Sequence, residues 1–92
     1  MMRIKPVGTS IVIEQIDLAK NSSALVIKSA NETVFTAEIV AVSDHLVESG
    51  FKLNDFDTII YVGKSVETPV KGRYIIDAEQ IIGVITYDEE GN

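Results

Sequence analysis

Short runs of β-branched residues constrain this chain more than any other feature. Val34-Phe35-Thr36-Ala37-Glu38-Ile39-Val40-Ala41-Val42 is the longest, and its positions 35, 37, 39 and 41 are all apolar. Alternation of period two is the mark of a half-buried strand. Phe35, Ala37, Ile39 and Ala41 are therefore expected to share one face. Ser10-Ile11-Val12-Ile13, Thr58-Ile59-Ile60-Tyr61-Val62, Tyr74-Ile75-Ile76 and Ile81-Ile82-Gly83-Val84-Ile85 repeat the theme. Each run is short and bounded by turn formers, as in a sandwich or barrel. Only Asp77-Ala78-Glu79-Gln80 reads as a helical turn between strands, and no stretch offers three turns of amphipathic helix. The fold class is all-β, in one domain spanning residues 1–92.

Size makes such a domain marginal. The chain has 92 residues and no cysteine. A chain this short buries only about 60–65% of its unfolded surface. Without cysteine, neither a disulfide nor a thiolate metal site adds stability. That leaves close packing or oligomerisation. The chain is 46% apolar, too apolar for intrinsic disorder. Its net charge of −6 argues against a nucleic-acid partner, which requires a basic face. The acidic excess lies after residue 31, while residues 1–30 are net basic. No apolar run approaches the ~20 residues of a membrane span. Met1-Met2-Arg3-Ile4-Lys5-Pro6 has no apolar stretch behind it and does not read as a signal peptide. A cytoplasmic protein is expected, and the sequons at Asn21 and Asn31 then carry no meaning.

Two segments interrupt the strand pattern. Residues 17–33 are polar and small, with Leu25-Val26-Ile27 set among them. A loop of this length in a small domain is unusual and is commonly functional or disordered. Two readings of the tripeptide stand side by side. It is a short strand packed in the core, or it is an apolar anchor on a polar loop that orders in a partner's groove. In the second segment, residues 43–57, Leu46-Val47 and Phe51-Lys52-Leu53 flank Glu48-Ser49-Gly50, which predicts a hairpin with a glycine turn.

Signs of catalysis are sparse. His45 is the only histidine. Asp44 and several serines are present, but no nucleophile-elbow motif joins them into a triad. Asp55 and Asp57 would share a face on a strand and bind a divalent cation there; in a turn they would cap backbone amides. Neither an EF-hand pattern nor a His or Cys partner lies near them. Gly63-Lys64-Ser65 resembles the tail of a P-loop without its upstream glycine. Asp88-Glu89-Glu90 reads as a solvated tail. No catalytic residue, cofactor or metal site is assigned.

Taken in order, the segments resemble a known family, the GroES-type co-chaperonins, which are ten-kilodalton lids of cylindrical chaperonins. Ile4-Lys5-Pro6-Val7 and Ile11-Val12-Ile13 are similar to the family's Ile-Arg-Pro-Leu and Val-Ile-Val. Leu25-Val26-Ile27 falls where the family carries its Ile-Val-Leu anchor. Ala37-Glu38-Ile39-Val40-Ala41-Val42 is similar to Gly-Glu-Val-Leu-Ala-Val, and Asp57-Thr58-Ile59-Ile60-Tyr61 resembles the Gly-Asp-Ile-Val-Ile-Phe region. Tyr74 to Ile85 is similar to the family's closing strands. The resemblance covers residues 3–86. It departs at Ser23-Ala24 and Ser43, where the family has glycines, near Lys64-Ser65, where it has a tyrosine, and in a shortened segment 43–57. Such departures would suit a phage-encoded or specialised copy.

The resemblance implies a small β-barrel protomer with a mobile loop over residues 17–33 and a short roof hairpin over 43–57. It implies a homo-heptameric ring in which the terminal strands 3–7 and 81–86 of neighbours pair. It implies that Leu25, Val26 and Ile27 bind a large ATPase ring, the chaperonin, and that an unfolded client is enclosed beneath the lid. The rival expectation is a small β-barrel binding or assembly module, OB-like or phage structural, with Leu25-Val26-Ile27 as an ordinary strand.

Overall fold

A computed structural model of the chain describes residues 2–16 and 34–86. It contains β1 (Ser10–Gln15), β2 (Val34–Val42), α1 (Asp44–Glu48), β3 (Thr58–Val62), β4 (Val66–Glu67), β5 (Tyr74–Asp77), a 3-10 turn (Ala78–Gln80) and β6 (Ile81–Ile85). All strand pairings are antiparallel, and the sheet order is β4-β5-β1-β2-β3-β6. The all-β expectation holds, and β2, β3 and β6 coincide with the runs read from the sequence.

The sheet cannot be flat. Four strand spacings separate β5 from β6 in the order, which would be about 19 Å in a plane. Yet three residues of 3-10 turn join them, spanning roughly 8 Å. The sheet must curl until β5 and β6 approach. No ladder forms between those two strands, so the curled sheet is open among the described residues.

The concave face carries the core. Ile11, Ile13, Ala37, Ile39, Ile59 and Tyr61 are completely buried, with Ile76 and Leu46 nearly so. Phe35 lies at the margin with its ring centroid 5.4 Å from that of Tyr61. Ala41 departs from the expected alternation. Val12 pairs with Ala41 but Ile13 pairs with Ile39, so Val40 is an extra residue in β2. This bulge flips the pattern: Val42 packs on the core, while Ala41 lies opposite Val12 on the other face.

The predicted hairpin over residues 43–57 is not present. Residues 44–48 form α1, and residues 51–57 return without strand pairing. Ser43 explains the difference. Its Oγ accepts from the Leu46 amide at 3.2 Å, capping the helix, and donates to the Gly8 carbonyl at 2.6 Å. Gly50, which read as a hairpin turn, instead follows the helix end with φ +95°. The Phe51 amide donates to Leu46 O, and Phe51 and Leu53 fold onto the core. Ser43 is only 1% exposed and is the one buried polar residue among those described. Ser43→Ala would orphan the Leu46 amide and the Gly8 carbonyl together. A loss of about 1–2 kcal/mol is expected in urea unfolding, with no change in the slope of the transition.

The 3-10 turn is fastened from both sides. Asp77 Oδ1 accepts from the Glu79 amide and Gln80 Oε1 accepts from the Asp77 amide. Gln80 Nε2 donates to the carbonyls of Val62 at 2.8 Å and Lys64 at 3.0 Å. Gly63 sits beneath that amide with φ +89°, and a β-carbon there would lie 3.0 Å from Gln80 Nε2. The Gly63-Lys64-Ser65 run is therefore a turn between β3 and β4, and its glycine serves the fold.

Candidate assembly edge and partner-binding surface

The two edges of the sheet differ in kind. β4 is two residues long, carries Glu67, and is flanked by Lys64, Pro69 and Lys71. Short length, charge and proline are the usual guards of an edge. β6 is longer and has no proline, and its nearest charges in sequence, Glu79 and Asp88, lie outside the strand. Its five residues, Ile81 to Ile85, carry no charge, and among the described residues it pairs only with β3. Ile82 is 59% exposed and Val84 41%. Ile60 pairs with Gly83 while Tyr61 pairs with Ile81, which makes Ile82 a bulge residue turned to solvent. An apolar edge with free backbone groups is a template for another strand.

The strand expected over residues 3–7 is absent from the single chain. Residues 2–7 belong to no ladder, and Pro6 has no amide hydrogen to give one. This arm is held by the burial of Pro6, by the Ser10 amide donating to Val7 O at 3.1 Å, and by an exposed Lys5–Asp44 ion pair at 3.4 Å.

Leu25, Val26 and Ile27 lie outside the described residues, as do the rest of segment 17–33 and Asp88-Glu89-Glu90. The described chain fixes where that segment leaves the sheet. Pairing between β1 and β2 continues to Ile16, whose amide donates to Thr36 O at 3.2 Å, and Thr36 Oγ1 returns a bond to Ile16 O at 2.9 Å. Segment 17–33 thus joins the paired ends of two core strands. Helix α1 follows the other end of β2, roughly 27 Å away along the strand.

The remaining sequence candidates occupy separate places. His45 is exposed on α1, and its backbone carbonyl accepts from the Ser49 amide and Oγ. Asp57 Oδ2 accepts from the Asn54 amide at 2.8 Å, so this carboxylate caps a turn. Asp55 is exposed in the same turn. Among the described residues no group of three metal-ligating side chains gathers. No described helix is long and apolar enough to cross a membrane.

That turn holds one feature the sequence reading missed. Phe56 has φ +76°, the only non-glycine residue described with positive φ, and is 80% exposed. Two backbone bonds to β2 impose this conformation: the Phe56 amide donates to Ile39 O at 2.8 Å and the Ile39 amide donates to Asp57 O at 2.9 Å. A left-handed conformation costs an L-residue roughly 1–2 kcal/mol. Phe56→Gly is expected to raise stability by about 0.5–1 kcal/mol, since glycine's added unfolded-state entropy offsets part of the relief. Chemical denaturation of the two chains side by side gives the sign.

No family model matches the chain, and no curated protein matches it.

Proposed function

We propose that this chain is a non-enzymatic co-chaperonin subunit, one of a ring that caps an ATP-driven chaperonin and encloses a folding client. The observation that carries the proposal is the contrast between the edges: β4 is guarded, whereas β6 is uncharged, apolar and, among the described residues, paired on one side only. A 92-residue chain without disulfides gains from covering such an edge. The resemblance supplies the partner strand, residues 3–7 of a neighbouring copy, and those residues have no ladder of their own. Phe56 adds support. Aligning Asp57 with the aspartate of the family's Gly-Asp-Ile-Val-Ile-Phe places the family's glycine on Phe56, the one described non-glycine position with a glycine-like backbone.

In this reading Leu25, Val26 and Ile27 are the chaperonin anchor, one set per subunit, and ATP hydrolysis belongs to the partner. The GroES-like barrel is completed in the ring and the family's seven copies set its size. Native mass spectrometry tests the assembly. A species near 71 kDa, seven copies of 10.1 kDa, is expected, together with capture by a chaperonin ring in the presence of ATP. A chain that remains monomeric with and without chaperonin and ATP overturns the proposal. The alternative would then stand, a small β-barrel binding or assembly module with no chaperonin partner.

A further inference from the structure

We infer that Thr9 and Gln80 are positioning residues that set how many copies close the ring, by fixing the N-terminal arm against the start of β6. The inference rests on the co-chaperonin reading and deepens it. That reading takes the subunit number from the family; here the number is assigned to hydrogen bonds within this chain.

The two surfaces that meet in such a ring are different. One copy presents its arm, residues 3–7, and its neighbour presents β6. Head-to-tail contacts of this kind close into a ring only when the rotation between neighbours divides the circle, and otherwise run on as an open filament. Seven copies need a rotation of about 51°, six about 60° and eight about 45°, so a change of about 6–9° at each joint alters the count. The count is thus encoded within one chain, in the direction of its arm relative to its own β6.

β6 is fixed by its ladder with β3. The arm belongs to no ladder, so its direction is set at its root. Gly8 has φ +64° there, with nothing within 4 Å of a β-carbon position, a backbone free to turn without collision. Hydrogen bonds restrain it. Gly8 O accepts from Ser43 Oγ at 2.6 Å. Thr9 O accepts from the Ala78 amide at 2.9 Å, and Thr9 Oγ1 donates to Asp77 Oδ2 at 3.0 Å. Asp77 and Ala78 open the turn that leads directly into Ile81, the first residue of β6. The root of one assembly surface is therefore bonded to the start of the other, although 68 positions separate Thr9 from Asp77.

Gln80 holds the turn itself. Its Oε1 accepts from the Asp77 amide at 2.9 Å, and its Nε2 reaches the Val62 and Lys64 carbonyls, where β3 ends. Loss of the Thr9 hydroxyl leaves the arm one of its two bonds to the turn. Loss of the Gln80 amide frees the turn from the end of β3. Neither change touches a residue of the arm or of β6, so pairing is retained while its angle loosens. Thr9 is exposed, and Gln80 stands outside the core cluster.

Native mass spectrometry of Thr9→Val, Gln80→Ala and the double variant, beside the parent, provides the test. The parent is expected as one species of seven copies. Each single variant should spread into six- and eight-copy rings or open oligomers, and in the double variant the seven-copy share should fall below about half of the assembled protein. Thr9→Ser keeps the hydroxyl and should give the parent's distribution. Thr9→Val changes an exposed side chain and should keep the parent's circular dichroism, so it decides the matter if Gln80→Ala does not fold. Variants that remain a single seven-copy species overturn the inference. So do variants that fall to folded monomers, since the bonds would then serve the strength of pairing and not its angle. A parent that forms no ring removes the co-chaperonin reading and this inference with it, whereas a parent ring matched by unchanged variants removes this inference alone.

Discussion

Val26→Asp is expected to abolish capture by the chaperonin while leaving the ring's mass unchanged. Burying Leu25, Val26 and Ile27 in an apolar groove would yield roughly 1.5–3 kcal/mol per side chain. Ordering a loop of some fifteen residues costs on the order of 1 kcal/mol per residue of backbone, so one loop alone binds weakly or not at all. Affinity then comes from linkage of several loops in one ring, which raises the effective concentration of each later contact. Aspartate in the anchor removes an apolar contribution and places a charge where no partner waits, a penalty of several kcal/mol at every site. Because the sites act together, the loss compounds and binding falls below detection. The ring does not depend on residue 26 in this reading, so native mass spectrometry of the variant should give the parent species. Unchanged capture by an intact Val26→Asp ring would remove the anchor assignment and leave the assembly proposal untouched.

Much of the fold was legible because strands of one curled sheet write themselves locally. Val34–Val42, Thr58–Val62 and Ile81–Ile85 are β-branched runs ended by turn residues, and they became β2, β3 and β6 over those same residues. The departures share a physical cause, since each depends on a contact distant in sequence. Helix α1 is only five residues long and rests on Ser43, whose hydroxyl meets the Gly8 carbonyl across 35 positions. Nothing in Asp44-His45-Leu46-Val47-Glu48 alone distinguishes that helix from half of a hairpin. The bulge at Val40 is set by how β1 and β2 pair, so alternation read along β2 alone carried Ala41 to the wrong face. Phe56 is a further case, held in its left-handed conformation by two bonds to Ile39. The candidate site divides the same way. The proposed anchor tripeptide stands out in the sequence by its polar flanks. The proposed assembly edge does not, because Ile81–Ile85 reads alike in a central strand and at an edge. Only the sheet order exposes it.

That edge yields the second large effect. Ile82→Lys should dissolve the ring into folded monomers. Ile82 is the bulge residue of β6 and is 59% exposed in the single chain, so a lysine there reaches solvent without disturbing the core. Surface substitutions of this kind usually change stability by less than about 0.5 kcal/mol. In an assembled edge the same lysine would be caught beside an incoming strand. Natural sheets use an edge lysine for this purpose, since pairing would desolvate the ammonium or force it out of register. In a closed ring every subunit carries the substitution at its interface, so one change weakens all contacts at once. The expected result is a shift from about 71 kDa to 10.1 kDa, with the parent's circular dichroism and a thermal midpoint equal to that of the dissociated parent. Monomerisation should abolish chaperonin capture as well, although Leu25, Val26 and Ile27 are unaltered, because a single loop lacks the linkage that makes weak anchors hold. A ring that survived Ile82→Lys would show that its subunits meet through another surface. Monomers that still bound the chaperonin tightly would show that multivalency is not what holds the lid in place.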